Sequence, residues 1–377
     1  MSTIGLIALA LYVVIFAIKL ALAHRYASTH PETATRPEPI TLLQPILGGD
    51  PNLADALQHN IANAPANARF LWLVDEDDVE GQRVTRALQN ERVAILLCPP
   101  PRARENPKSA KLARALPHVA TPYFAVLDDD TMLAPEHLNR AIAALDDCTL
   151  YTGLPTYLPG ANFWSSLVAH FVNNNSTLTY LSLLPLMPPL TINGMFYAMR
   201  TESLRAIGGF TPIVDKLCDD YALAKLIRDH GGTIRQGTTR QQLRTTVRDA
   251  RHYVAIMQRW FLFANVLLRD QPLKVQLLLI PFLGLPPLLF VLSFLAIFGG
   301  AISSIALLAM LIFRAFGLAS VSPANRQLPT ANQFLSILSE LLQPLHWMHA
   351  ALQHSLQWRT RRIVLGRDGT FDYVVPR

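Results

Sequence analysis

The sequence predicts an α/β domain, a mostly parallel sheet with flanking helices, attached to membrane helices on its N-terminal and C-terminal sides. Three observations predict it. Charged residues are only 16% of the 377 and hydrophobic residues 51%, where an average soluble domain is about 25% charged. Long, nearly uncharged runs stand at 4–23 and 275–313. Between them, from 40 to 240, short runs rich in branched apolar residues alternate with helix-like segments, as in a parallel sheet joined by helical crossovers. This composition excludes a disordered or collagenous chain.

Residues 4–23 are apolar except for Lys19, and about 20 such residues span a bilayer core of roughly 30 Å. A cleaved signal peptide carries its basic residues ahead of the apolar run. Here Lys19, His24 and Arg25 come late or after it, so a retained anchor is expected. Strands follow at Ile40–Leu43, Phe70–Val74, Val93–Leu97 and Tyr123–Leu127. Asp50 and Pro51 are placed to cap and open the first intervening helix. Residues 275–313 carry no charge and suit a tight membrane pair, broken at Pro286–Pro287 and Gly299–Gly300. Arg269 and Lys274 precede this run while Arg314 and Arg326 follow it, so the positive-inside rule puts both flanks in the cytoplasm. The stretch 333–353 holds Glu340, His346 and His349 among apolar residues. If it crossed, Arg359, Arg361, Arg362 and Arg367 would lie outside, so an interfacial or re-entrant helix is expected. The organisation is therefore an anchor at 1–24, a cytoplasmic domain at 25–270, a membrane hairpin at 271–320 and an interfacial helix with basic tail at 321–377.

Basic residues outnumber acidic ones 33 to 27, a net charge of +6. On a membrane protein this excess points to anionic headgroups, and no nucleic acid is needed to explain it. Cys98, Cys148 and Cys218 form no CxxC pair and leave one over in any disulfide scheme. They argue against a metal knuckle or disulfide framework and fit a reducing, cytoplasmic setting. Asn174 and Asn175 begin N-x-S/T sequons, which that setting leaves unmodified.

Two acidic clusters fall just after strands: Asp75, Asp77 and Asp78, then Asp128, Asp129 and Asp130. In open α/β sheets the ligand site lies beyond the carboxyl ends of strands. Carboxylates packed this tightly repel unless a cation or hydrogen-bond donors offset the repulsion. Oxygen ligands alone favour Mg2+ or Mn2+, and such an ion could bridge and neutralise a diphosphate. A solvated, helix-capping turn remains the alternative for either cluster taken singly. Asp219 and Asp220 open a segment with Leu223, Leu226 and Ile227 on one helical face, so both sit near a helix N-terminus, where capping is the alternative to chemistry.

At these residues the chain resembles the ceramide glucosyltransferases. The resemblance runs in order through Ile46-Leu47-Gly48-Gly49-Asp50-Pro51-Asn52-Leu53, Asp75 to Asp78, Asn106-Pro107-Lys108, Asp128-Asp129-Asp130 with Pro135, and Gly153-Leu154-Pro155. It continues through Asn193-Gly194-Met195, Gly208-Gly209-Phe210, Asp219-Asp220-Tyr221 with Ala222 to Lys225, and Arg259-Trp260, covering about residues 41–265. It implies a GT-A nucleotide-sugar-binding domain and an inverting, metal-dependent transfer of a sugar, from UDP-glucose or a related UDP-sugar, to the hydroxyl of a membrane lipid, ceramide being the family acceptor. Carried over by position, Asp78 resembles the first family aspartate, near the nucleotide, with Asp75 and Asp77 beside it. Asp128 resembles the second, and Asp130 completes a DxD pair for Mn2+ or Mg2+ and diphosphate. Lys108 faces nucleotide phosphate in this reading, and Asp220 is the general base. Arg259 and Trp260 end a (Q/R)xxRW motif that contacts diphosphate and acceptor.

Two departures stand out. Ile256 occupies the Gln or Arg position of that last motif, with Gln258 close by, and residues 176–192 match nothing in the animal enzymes, which places acceptor selectivity there. The similar motifs of hopanoid-lipid N-acetylglucosaminyltransferases keep that reaction open, and processive polysaccharide synthases share the Asp pattern and terminal RW. A tethered nucleotide-sugar binder without turnover is the non-enzymatic alternative. The expected location is an integral membrane protein of a bacterial inner membrane, with the catalytic domain in the cytoplasm.

Overall fold

The structure is a computed structural model describing residues 2–322, 332–353, 355–358, 361–365 and 370–373. The chain folds as two compact units: a membrane unit of Met1–Thr29, Tyr157–Met187 and Val247–Leu356, and a sheet unit of His30–Thr156, Pro188–Thr246 and Gln357–Arg377. Arg326, Arg359 and Arg367, used above as topological charges, lie outside the described residues.

The sheet unit is built on eight strands: β1 (Ile40–Pro45), β2 (Ala68–Asp75), β3 (Val93–Cys98), β4 (Tyr123–Leu127), β5 (Thr131–Met132), β6 (Leu150–Tyr157), β7 (Phe196–Arg200) and β8 (Ile234–Leu243). Their order is β3-β2-β1-β4-β7-β6-β8-β5. The first four are parallel, with Leu42 opposite Phe70 and Ala125, while β7 runs antiparallel to both β4 and β6. Helices Leu53–Asn63, Val79–Leu88 and Pro107–Ala115 make the crossovers that parallel strands require. Period-2 alternation divides the core between the two faces. Leu42, Phe70, Trp72, Ala125 and Leu127 face helices Leu53–Asn63 and His137–Ala144. Leu43, Leu71, Leu73, Phe124 and Val126 face Pro107–Ala115 and Asp219–Asp229. Each fully buried Leu, Val or Phe contributes roughly 1.5–3 kcal/mol, so the parallel half is a rigid platform for the loops at its strand ends.

The first crossover helix starts later than the sequence suggests. Asn52 is the cap residue and Leu53 opens the helix, while Asp50 turns its side chain onto the Asn52 N–H at 2.8 Å. This local turn competes with capping, as Asp side chains commonly do. Cys98, Cys148 and Cys218 are free thiols.

In the membrane unit, three helices among the described residues are long and apolar enough to cross a bilayer: Ser2–Thr29, Leu273–Gly299 and Ala301–Val321. Pro286–Pro287 do not break the second. They sit in the first turn of its Leu285–Ser293 portion, after a π-helical turn at Ile280–Gly284, where the missing N–H of proline costs least. Arg314 is likewise not a flanking charge. It lies within the third helix, 1% exposed, because Glu340 pairs with it at 2.5 Å. Residues 333–353 form two ten-residue helices, Asn332–Leu341 and Gln343–Leu352, each about 15 Å long. Asn174 is buried and donates to Ser336 and Ser339.

Candidate active site

The loop leaving β1 is bound to both acidic clusters. The Leu47 N–H donates to Asp129 Oδ2 at 2.7 Å and the Gly48 N–H to Asp78 Oδ2 at 2.7 Å. The Ile46 carbonyl accepts from Lys111 Nζ at 2.8 Å, and the same ammonium pairs with Asp75 Oδ2 at 2.9 Å. Gly48 is required by close approach, since a Cβ there would stand 2.5 Å from the Gly81 nitrogen and 2.6 Å from Asp78 Oδ1. Asp78 also caps helix Val79–Leu88 by accepting from the Gly81 N–H, so capping and loop binding use its two oxygens. Asp77 is exposed. Asp75 is buried, and its Oδ1 has no hydrogen-bond partner among the described residues.

Lys108 gathers the remaining motifs. Asn106 caps helix Pro107–Ala115 by accepting from the Lys108 and Ser109 N–H groups, and it donates to the Lys216 and Leu217 carbonyls. The cap aims Lys108 across the strand ends. Its ammonium reaches Asp128 Oδ1 at 2.6 Å, Asp219 Oδ2 at 3.7 Å and the Gly194 carbonyl at 2.6 Å. Burial works against its charge, but Asp128 and then Asp219 more than offset this and hold its pKa above the ordinary lysine value. The Asn193–Met195 turn is pinned as well: the Asp128 N–H donates to the Met195 carbonyl at 3.0 Å, and the Met195 N–H and Gln241 Nε2 both donate to Asn193 Oδ1.

Asp220 stands at the start of helix Asp219–Asp229, against Gly194. A Cβ on Gly194 would lie 3.1 Å from Asp220 Cβ and 3.5 Å from its Oδ2. Oδ1 is engaged locally, accepting from the Tyr221 N–H at 2.7 Å and from the Cys218 thiol at 2.9 Å. Burial, and then the charge of Asp219, raise the Asp220 carboxyl to about 6, against the pull of these donors and of Lys108. Tyr197, buried beside Asp219, Asp128 and Asp220, is held neutral, first by burial and then by those charges.

Asp130 is raised further than Asp220. Burial, then Asp129 and Asp128, raise its carboxyl to about 8, although Thr245 donates to Oδ2 at 3.1 Å. Among the described residues no three His, Cys, Asp or Glu side chains converge as a ready-made metal cage. The donors fit a hard divalent ion that takes one or two carboxylates from protein and its other oxygens from phosphate. The crowded carboxylates also fit it, since a cation would relieve the repulsion that raises Asp130.

The sheet unit thus brings Asp75, Asp78, Lys108, Asp128, Asp130 and Asp220 to one end of its strands, with Asp77 at the rim. Lys108 is spent on carboxylates rather than left open. Arg259 and Trp260 lie in the membrane unit, on helix Ala250–Arg269, where Trp260 stacks on Phe171 at 5.9 Å and meets Tyr157 edge-on at 6.2 Å. Ile256 is buried. Sequence reasoning missed Lys111 and Thr245, and named Cys218 and Asp129 without the contacts they make. Lys111 follows Lys108 at i+3, on the same helix face, and Cys218 immediately precedes the acidic pair; both signals were readable. The Asp129 and Thr245 contacts depend on tertiary approach and were not.

The signature of Glycosyl transferase family 21 matches residues 3–371, so the chain belongs to that family. No curated protein sequence matches. The mannosyltransferase PcManGT from Pyrobaculum calidifontis, solved with GDP-Man and Mn2+, superposes with a TM-score of 0.53 at 19% identity, covering 90% of this chain and 99% of that one. GalNAc-T7, solved with UDP, GalNAc and Mn2+, gives 0.42 at 11% identity over 61% of this chain and 50% of that one. The first shows the GT-A-like fold.

Proposed function

We propose that this family 21 glycosyltransferase moves a hexose from a UDP-sugar to the primary hydroxyl of a ceramide-like membrane lipid, with inversion at the anomeric carbon. The observation that carries the reading is the convergence of Lys108 on Asp128, Asp219 and the Gly194 carbonyl, which sets the Asp220 carboxylate beside the Asp128–Asp130 cluster. The nucleotide sugar and Mn2+ bound by the similar mannosyltransferase support a donor and ion of those classes. Asp75, Asp77 and Asp78 are assigned to the nucleotide side.

Asp130, with Asp128 beside it, would hold the divalent ion, whose chemistry is to neutralise the leaving diphosphate. Asp220 takes the proton of the lipid hydroxyl as its oxygen bonds to the anomeric carbon, and the bond from that carbon to the diphosphate oxygen breaks, releasing UDP. The base must be ionised, and a carboxyl near 6 meets that condition at neutral pH while still accepting a proton effectively. Lys108 positions: it holds the Asn193–Met195 turn through the Gly194 carbonyl and pairs with Asp128. Arg259 and Trp260 are assigned to diphosphate and acceptor on their motif alone.

The test is a cell-free incubation of the full chain with UDP-sugars, Mn2+ and defined lipids, read by mass spectrometry. A ceramide heavier by one hexose is the expected product. An N-acetylhexosamine on a hopanoid lipid, or a polymer, would replace this reading with one of its rivals.

A further inference from the structure

The three candidate membrane spans contain two deeply buried basic residues, Lys19 and Arg314, 7% and 1% exposed. Charges within a membrane bundle are costly and persist where they are paired or bind something. Arg314 is fully paired: Nε donates to Glu340 Oε2 at 2.5 Å, Nη1 to Ser336 Oγ at 3.0 Å and Nη2 to the Ser336 carbonyl at 3.1 Å. The other oxygen of Glu340 accepts from the Tyr12 hydroxyl at 2.9 Å. Both oxygens of that carboxylate are therefore committed. Lys19 has no hydrogen bond or ion pair among the described residues; its ammonium sits 5.8 Å from the centre of the Phe282 ring.

Lys19 lines a cavity of about 30 Å³ together with Tyr12, Asn175, Pro286 and Glu340, room for one or two water-sized groups. The gap is not slack packing. The same helix packs tightly on Ala301–Val321, where a Cβ on Gly317 would come within 2.6 Å of Leu20 and 2.7 Å of Phe16. Two cations here face one carboxylate, so the pocket is one negative charge short. Lys19 lies about 6 Å before the end of the apolar run at Ala23, a depth from which a lysine stem reaches the headgroup level.

We infer that Lys19 anchors the phosphate of an anionic phospholipid in this cavity. All three candidate membrane helices contribute walls, through Lys19, Pro286 and Leu318, so the bilayer, rather than the aqueous phase, is the source of the anion. The acyl chains would lie along the exposed apolar side chains of the spans, and the phosphate would supply the missing charge.

The test uses the full chain reconstituted in nanodiscs of mixed phosphatidylglycerol and phosphatidylcholine, with native mass spectrometry after lipid removal. One phosphatidylglycerol should remain bound per chain, preferred over phosphatidylcholine by about fivefold or more, the weight of one basic side chain at an anionic surface. Lys19→Gln should abolish the preference, Lys19→Arg should keep it, and Arg25→Gln, at an exposed flank, should leave it intact. The proposal is overturned by equal retention of the two lipids by the wild-type chain, which needs no variant to fold. Unchanged preference in Lys19→Gln overturns it as well. So does displacement of the bound phosphatidylglycerol by millimolar inorganic phosphate, which would mark a site for soluble anions.

Discussion

Two charged clusters in this molecule are unbalanced in opposite senses. In the sheet unit, Asp128, Asp219 and Asp220 share Lys108, Asp129 and Asp130 stand beside Asp128, and burial together with this excess of negative charge raises the carboxyl groups to about 8 at Asp130 and about 6 at Asp220. In the membrane unit, Lys19 and Arg314 share Glu340, and the excess is positive. A fully compensated cluster only stabilises a fold. An uncompensated one favours a ligand of the opposite sign, which in the two proposals above is a divalent cation in the first case and a lipid phosphate in the second.

The sharpest way to break the comparison is to unbalance each cluster further. Glu340→Gln leaves Arg314 buried with its carboxylate partner gone, and should destabilise the chain by about 3 kcal/mol or more in denaturant melts of the detergent-solubilised protein. A small change would mean that water reaches Arg314. Lys108→Met does the corresponding damage in the sheet unit, freeing the Asn193–Met195 turn and Asp128. Turnover should fall by about 10²-fold, the scale expected when catalytic groups shift by an ångström. Gly194→Ala tests the same turn by crowding Asp220, with a loss of about tenfold in kcat at nearly unchanged donor affinity. If donor binding collapsed instead, Gly194 would belong to the nucleotide side.

Two finer tests use pH. Without a divalent ion, Asp130, raised to about 8, favours the folded state most fully below the ordinary carboxylate pKa, and this contribution is lost as pH rises through about 8. Mn2+ should then raise Tm more at pH 8 than at pH 5, since the ion binds the ionised carboxylate; equal gains would place the ion elsewhere. Activity should also fall as pH drops through about 6, where Asp220 becomes protonated. The Cys218 thiol donates to Asp220 and lowers its pKa, so Cys218→Ala should move that acid limb up by roughly one unit. Cys218→Ser, keeping a donor, should restore it.

How much of this was legible follows the same division. The strands β1 to β4 read directly from sequence because parallel, doubly covered strands are continuous apolar runs. The antiparallel half did not: β8, IRQGTTRQQL, is polar along most of its length. Both Asp clusters were visible, since each ends an apolar strand, but their joint hold on the Ile46–Gly48 backbone arises only in three dimensions. Arg314 misled because its partner Glu340 lies 26 residues away, beyond any local pattern. Lys19 looked like a lone charge in an anchor, and only the closed Arg314–Glu340–Tyr12 network shows that it lacks a hydrogen-bonded or ion-paired partner among the described residues.

In the proposed reaction Asp220 does the chemistry and the Asp128–Asp130 cluster binds. The direct measurement is turnover and donor affinity of Asp220→Asn at saturating UDP-sugar, Mn2+ and lipid. Asn keeps the size and much of the hydrogen bonding but cannot take the proton, so kcat should drop by about 10² or more while donor affinity stays within a few-fold. Near-wild-type turnover would contradict the account, because Asn serves nearly as well as Asp at a helix N-terminus, and Asp220 would then be a structural residue of its helix.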